Sequence, residues 1–179
     1  IKAYFSSNSG GVTCTAVECF QKLTNPDYLV VVQKDVEGVR EVGETGTWGK
    51  RSRITGANVR ARLARFGLKL PGRFGGLYSV EKGPSGRTWR LGVRQGGGPD
   101  IELTREESKV MMGLFGPIRS YLFELGAVNS KGVQQVVGHG FGHGVGMSQY
   151  GAKLLAEKNQ GHRDILEFYY RDTRVLEMK

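Results

Sequence analysis

Between residues 138 and 146 every second position is glycine, and the residues in between are His139, Phe141, His143 and Val145. The run continues as Met147-Ser148-Gln149-Tyr150-Gly151-Ala152. An interior glycine weakens a strand or helix by roughly 0.5–1 kcal/mol against alanine. Such an alternation therefore belongs where another backbone or a ligand comes very close. If the stretch is extended, one face is bare backbone and the other presents both histidines. Residues 147–150 read as a helix start, with Ser148 at the N-cap, Leu155 and the alanines Ala152 and Ala156 on the apolar face, and Gly161 as the stop. Backbone N–H groups there, with the side chains of Ser148, Gln149 and Tyr150, can donate to sugar hydroxyls or to an anion. His143 can carry a proton or orient a catalytic group, because an imidazole titrates close to neutral pH.

Three other readings compete for the segment. A metal pair at His139 and His143 needs a helix to bring both onto one ion, and the glycines oppose a helix. On a strand the two rings share a face about 13 Å apart, too far for one ion. A dinucleotide fingerprint fails, because Gly140-x-Gly142 is followed by Val145 where the third glycine is required. Plain packing of glycines against a neighbouring strand is the remaining structural alternative.

The rest of the chain alternates strand and helix signals. Tyr28–Val32 is a short apolar, β-branched run that reads as a buried strand. From Thr55 to Phe66 the period becomes helical, with Val59, Leu63 and Phe66 on one stripe, Thr55 as cap and Gly67 as stop. Leu77–Val80 and Trp89–Arg94 read as a hairpin closed by Gly83-Pro84-Ser85-Gly86, with Trp89, Leu91 and Val93 on one face. Ile101 and Leu103 begin a short strand, and Thr104 with Glu107 has the spacing of a capping box opening a helix through Met112. Tyr121–Leu125 and Val133–Val137 follow as strands around the turn 129–132. A helix from Arg163 to Tyr170 and a strand at 173–176 close the chain. This mixture predicts an α+β fold: one strand-rich domain over residues 1–179 with three or four short helices.

Composition narrows the partners. The chain has 26 basic and 17 acidic residues, a net charge of +9, which suits polyanions such as wall polymers, anionic headgroups or nucleic acid. The basic residues gather only between Lys50 and Arg73, and no aromatics interleave there as a base-stacking platform requires, so nucleic acid is not the expected partner. A solvated helix face explains Arg60, Arg62 and Arg65. No apolar run is long enough to span a membrane. The opening Ile1-Lys2-Ala3-Tyr4-Phe5 reads as a strand entered mid-stream, which predicts that a leader or upstream segment has been removed. Cys14 and Cys19 are compatible with a small disulfide loop, with two free thiols, or with half of a metal site.

The segment GHGFGHGVGMSQYGA resembles the signature of the stage II sporulation protein D / amidase enhancer family of bacterial cell-wall proteins. Residues 3–13, AYFSSNSGGVT, are similar to that family's small-polar-Gly-Gly-x-Thr stretch, and residues 163–170, RDILEFYY, to its closing helix. The resemblance is diffuse between residues 20 and 130. It implies an extracytoplasmic protein of the cell envelope, or a secreted one, that remodels peptidoglycan. Sporulation members act as lytic transglycosylases on glycan strands stripped of peptides. In that family the catalytic glutamate lies on a helix before the Ala-Tyr-Phe stretch, and no residue here matches its motif. The acid is therefore expected upstream of Ile1 or from a separate chain, and Glu18, Glu102 and Glu106 are not assigned to it. Some members hold zinc with Cys and His ligands near the Gly-Gly stretch, which brings zinc to Cys14 and Cys19, although Ser6 stands where a histidine is expected.

The leading expectation is a glycan-cleaving domain with the glycine–histidine segment as one wall of its cleft. His143 supports catalysis there, and Ser148, Gln149, Tyr150 and His139 bind the sugar. The partners are peptidoglycan glycan strands and a cell-wall amidase, and no cofactor is required. The rival expectation is a non-catalytic wall-binding module that stimulates an amidase.

Overall fold

The computed structural model describes residues 1–21, 24, 34–36, 47–48 (backbone alone), 52–116 and 118–176. The strand expected at Tyr28–Val32, and Lys50 and Arg51 of the basic run, lie outside the described residues. In chain order the elements are β1 (Phe5–Ser6), α1 (Ala16–Phe20), β2 (Thr47–Trp48), β3 (Arg53–Thr55), α2 (Gly56–Leu63), β4 (Arg73–Lys82), β5 (Thr88–Gly96), β6 (Ile101–Glu102), α3 (Arg105–Met112), β7 (Phe123–Val128), β8 (Val133–His139), β9 (Met147–Ser148), α4 (Gln149–Glu157) and α5 (His162–Tyr169). The fold is α+β, as expected. Two compact units divide it: Ile1–Trp48 with His139–Lys179, and Gly49–Gly138.

In the second unit, β4, β5 and β6 form an antiparallel sheet, and β8 pairs antiparallel with both β3 and β7. The alternation in β5 places Trp89, Leu91 and Val93 in the core, together with Leu77, Leu103, Met111 and Met112. Each such side chain contributes about 1.5–3 kcal/mol through burial. Caps work as their residue types dictate. Thr55 Oγ1 accepts the Asn58 N–H at 3.3 Å, and Gly67 ends the helical stretch at φ +70°. Thr104 and Glu107 close a reciprocal capping box on α3. Arg60 is used structurally, donating to the Leu70 and Gly72 carbonyls at 3.2 and 2.9 Å. Strand β4 starts at Arg73 rather than Leu77, because Gly75-Gly76 hides its first half and the pairing with β5 slips there. Gln134, buried in β8, accepts the Leu77 N–H at 2.8 Å and returns Nε2–H bonds to the Leu77 and Gly126 carbonyls at 2.9 Å each. Its carboxamide thus ties β4 to β7.

The first unit is built from both ends of the described chain. Strand β1 runs parallel to β9, with Phe5 beside Met147 and Ser6 beside Ser148. Isolated bridges extend the pairing, Asn8 with Phe141 and Cys14 with Val145. Helices α4 and α5 pack here with Leu155, Ile165, Tyr169 and Tyr170 buried. Three expectations are corrected. Five α-helices are present among the described residues rather than three or four. The extra one is α1, capped by Thr15, whose Oγ1 accepts the Glu18 N–H at 3.1 Å. No strand forms at 173–176: the segment has no strand partner among the described residues, the Val175 N–H goes to the Glu167 carboxylate at 3.4 Å, and Leu176 is left 82 % exposed. Strand β7 begins two residues later than expected and runs on to Val128.

Candidate functional site

The glycine segment is not extended, which corrects the sequence expectation. Strand β8 stops at His139, and Gly140, Gly142, Gly144 and Gly146 take φ of +82°, +111°, +78° and +70°. These values favour glycine alone, so the alternation encodes a winding backbone rather than a bare sheet face. Consequently the two histidines do not share a strand face. The expected close approach is present. A Cβ on Gly140 would lie 2.8 Å from the Asn8 carbonyl oxygen and from the Gly10 nitrogen. A Cβ on Gly10, itself at φ +75°, would lie 2.9 Å from the His139 carbonyl carbon. Asn8 and Phe141 exchange both backbone hydrogen bonds, at 3.0 and 2.7 Å. Residues 8–10 and 139–141 thus interlock main chain to main chain.

His143 is half-buried, and its Nδ1 accepts the Val145 N–H at 2.9 Å. That lone pair is occupied, so in the neutral ring the proton sits on Nε2. The ring packs edge-on against Phe20, 5.2 Å between centroids, and Phe20 packs on Tyr4. This geometry holds the His143 ring in place, with Nδ1 taken up by the Val145 N–H. His139 is half-buried at the end of β8.

Ser148 is fully buried. Its Oγ caps α4 by accepting the Gly151 N–H at 3.1 Å, and it also accepts the Ser9 N–H at 3.4 Å. It therefore holds the wall of the site from behind. Gln149 is exposed and Tyr150 half-buried, with the Tyr150 N–H donated to the Ser7 carbonyl at 3.1 Å. Phe5 and Phe141 are 56 % and 45 % exposed on this unit.

Sequence reasoning missed the residue that ties these pieces together. Asp35 is buried, and its carboxylate accepts from Ser9 Oγ, from the Tyr169 hydroxyl and from the Val36 N–H. Its own N–H goes to the Gly11 carbonyl at 3.1 Å. A Cβ on Gly151 would overlap the Tyr169 hydroxyl, so only glycine lets tyrosine and carboxylate reach the first turn of α4. The Gly-Gly stretch, the glycine–histidine segment and the closing helix all meet at this carboxylate. Glycine spacing and the Ser148 cap were readable signals, but nothing around position 35 marks an acid as central.

Burial foremost, then the charge and hydrogen bond of Asp35, push the Tyr169 phenol far above its ordinary value. A raised folded-state pKa makes the contribution complete below the unfolded value of about 10, and stability falls as pH rises past it. The slope is about 1.4 kcal/mol per pH unit. Tyr169→Phe should therefore flatten the alkaline decline of the urea midpoint above that pH, and an unchanged slope would contradict the network.

Cys14 and Cys19 are not joined by a disulfide. Cys14 is buried with its Sγ–H directed to the Thr15 carbonyl at 3.5 Å, and Cys19 lies on α1. Among the described residues no group of three or more His, Cys, Asp or Glu side chains could hold a metal ion. The described donors therefore do not fit a four-ligand zinc site. No helix among the described residues is long and apolar enough to cross a membrane.

These features define a class: an α+β protein whose glycine-rich, histidine-bearing segment is interlocked with an N-terminal Gly-Gly stretch over a buried carboxylate. The family model described as "Domain of unknown function (DUF8618)" matches residues 31–146, and the chain belongs to that family. Shorter stretches are similar to curated bacterial proteins. Identity is 50 % over 42 residues with Stage II sporulation protein D of Bacillus subtilis (strain 168), covering 24 % of this chain and 12 % of that protein. It is 55 % over 40 residues with Amidase enhancer of the same organism, covering 22 % of this chain and 6 % of that protein. It is 53 % over 38 residues with Stage II sporulation protein D of Bacillus amyloliquefaciens, covering 21 % of this chain and 11 % of that protein. The chain thus spans only 6 % to 12 % of the curated relatives it matches.

Proposed function

We propose that the first unit is the glycan-holding part of an extracytoplasmic protein that cleaves peptidoglycan strands by a lytic transglycosylase reaction. The observation that carries this reading is His143, held by the Val145 N–H so that Nε2 is its donor, a few residues ahead in the chain of the helix start bearing Gln149 and Tyr150. The partial identity with proteins named Stage II sporulation protein D and Amidase enhancer supports the cell-wall setting. In the reaction a carboxylic acid protonates the glycosidic oxygen as the bond to the anomeric carbon breaks. The resulting carboxylate takes the proton from the sugar's own 6-hydroxyl as that oxygen attacks, closing a 1,6-anhydro ring with no water consumed. His143, Gln149, Tyr150 and His139 position the strand, and Ser148 fixes the helix start behind them. The acid is not assigned to Asp35, buried under three donors, or to Glu18, buried in α1, and on this reading it is supplied by another segment. The reading needs no cofactor.

The test is incubation of the protein, with whatever segment supplies the acid, on peptide-free glycan strands. His143→Ala is expected to lower release of anhydro-sugar products by about 100-fold while the protein stays folded. His143→Asn keeps an acceptor for the Val145 N–H but loses the distal donor, so it should be as inactive yet more stable than the alanine variant. Full activity in either variant would sink the assignment. A second reading, a wall-binding module that stimulates a cell-wall amidase, is favoured by the burial of both Asp35 and Glu18. Strand binding without anhydro products, together with faster amidase turnover, would select it.

A further inference from the structure

The second unit carries a cleft of about 590 Å³ that glycan cleavage by the first unit does not use. Its walls are strands β4 and β5 on one side, with Tyr78, Lys82 and Arg94, and strand β7 on the other, with Glu124, Leu125 and Ala127. The volume falls in the range of small-molecule sites, roughly 300–1,000 Å³.

The cations in this cleft, Lys82 and Arg94, are exposed and form no ion pair with another described residue. The neighbouring carboxylates on this sheet are engaged with other groups, Glu102 with Arg90, Glu81 with Arg105, and Asp100 with the Tyr78 side chain. Arg94 is also held in place. Its guanidinium lies over the Tyr78 ring, 4.9 Å from the centroid. Tyr78 in turn lies across its register partner Gly92, where any Cβ would overlap the ring. A stacked guanidinium has less freedom to lose on binding a planar oxyanion, and it presents its N–H fork to that anion. The floor is fixed as well, since the Gln134 carboxamide satisfies Leu77 and Gly126 at once. Glu124, exposed on β7, adds an acceptor suited to hydroxyl donors, and Leu125 and Ala127 offer an aliphatic wall.

Two cations, a lining carboxylate acceptor and an aliphatic wall suit a small acid that also carries hydroxyl groups. We propose that this cleft binds a hexose carrying a carboxylate, with Lys82 and Arg94 on the carboxylate and Glu124 accepting from ring hydroxyls. The proposal stands whether or not the first unit acts on glycan.

Backbone amide NMR on the whole chain tests it, with N-acetylmuramic acid, neutral N-acetylglucosamine and inorganic phosphate as separate probes. N-acetylmuramic acid should give saturable shifts at residues 77–82, 94 and 124–127. N-acetylglucosamine and phosphate should each bind at least 10-fold more weakly. Lys82→Ala, at an exposed position that leaves the fold intact, should weaken the acid sugar about 5-fold, and Arg94→Ala by 10-fold or more. No saturable shift, equal binding of phosphate or of the neutral sugar, or shifts confined to residues 139–150 would each overturn it.

Discussion

Asp35→Ala is expected to destabilise the first unit by about 3–5 kcal/mol, because it strips the acceptor from three buried donors at once. The Ser9 hydroxyl, the Tyr169 hydroxyl and the Val36 N–H all end on this carboxylate. Leaving a buried donor without a partner costs about 1–3 kcal/mol, and only some of these groups can turn to another acceptor. Asp35→Asn keeps the shape and one carbonyl oxygen but sets an amide donor against a hydroxyl, so roughly half of the loss should remain. Hydrogen exchange reads the effect locally. The Tyr150 and Gly151 amides, which bond the Ser7 carbonyl and Ser148 Oγ, should lose protection. Amides in β5 of the second unit should keep theirs. A loss below about 1 kcal/mol with unchanged protection would show that Asp35 is not the tie described above.

Gly146→Ala should cost about 3–4 kcal/mol or prevent folding, against about 1 kcal/mol for Gly67→Ala. Both glycines sit at φ +70°, so the intrinsic strain of a side chain there is the same. The difference is in the surroundings. A Cβ added to Gly67 would meet nothing within 4 Å, whereas at Gly146 it would overlap the Tyr4 carbonyl oxygen. That oxygen cannot retreat cheaply, since the Met147 N–H holds it at 3.0 Å and the Tyr170 hydroxyl at 2.7 Å. Thermal midpoints of the two variants measure the contrast, and equal shifts would mean that the interlock yields easily.

Local chemistry was legible in the sequence, and long-range chemistry was not. Thr55, Thr104 with Glu107, Ser148, and the 83–86 turn were readable because cap and turn residues satisfy backbone groups only a few positions away. Period-2 glycines were ambiguous: they fit a bare strand face, and they equally fit a chain that takes a left-handed step at every second residue. Sequence cannot report the sign of φ. Asp35 was invisible because its partners Ser9 and Tyr169 lie 26 and 134 residues away. Half of β4 was hidden because Gly75 and Gly76 carry no strand propensity of their own. The strand expected at 173–176 has the right residues but no strand partner among the described residues, which shows propensity yielding to context.

The pairing of β1 with β9 has a consequence for the order of events on the ribosome. Ser9 and Ser148 touch across a separation of 139 residues, and the whole second unit lies between them in the chain. The N-terminal stretch is therefore made long before its partner, at about 5–20 residues per second. Residues 49–138 are complete before the glycine segment leaves the tunnel. Once that middle portion is folded, the loop to be closed is far shorter in effect than its residue count, which lowers the entropic barrier to joining the ends. The unit that holds His143 and Asp35 is thus assembled after residues 49–138, once the glycine segment has been made.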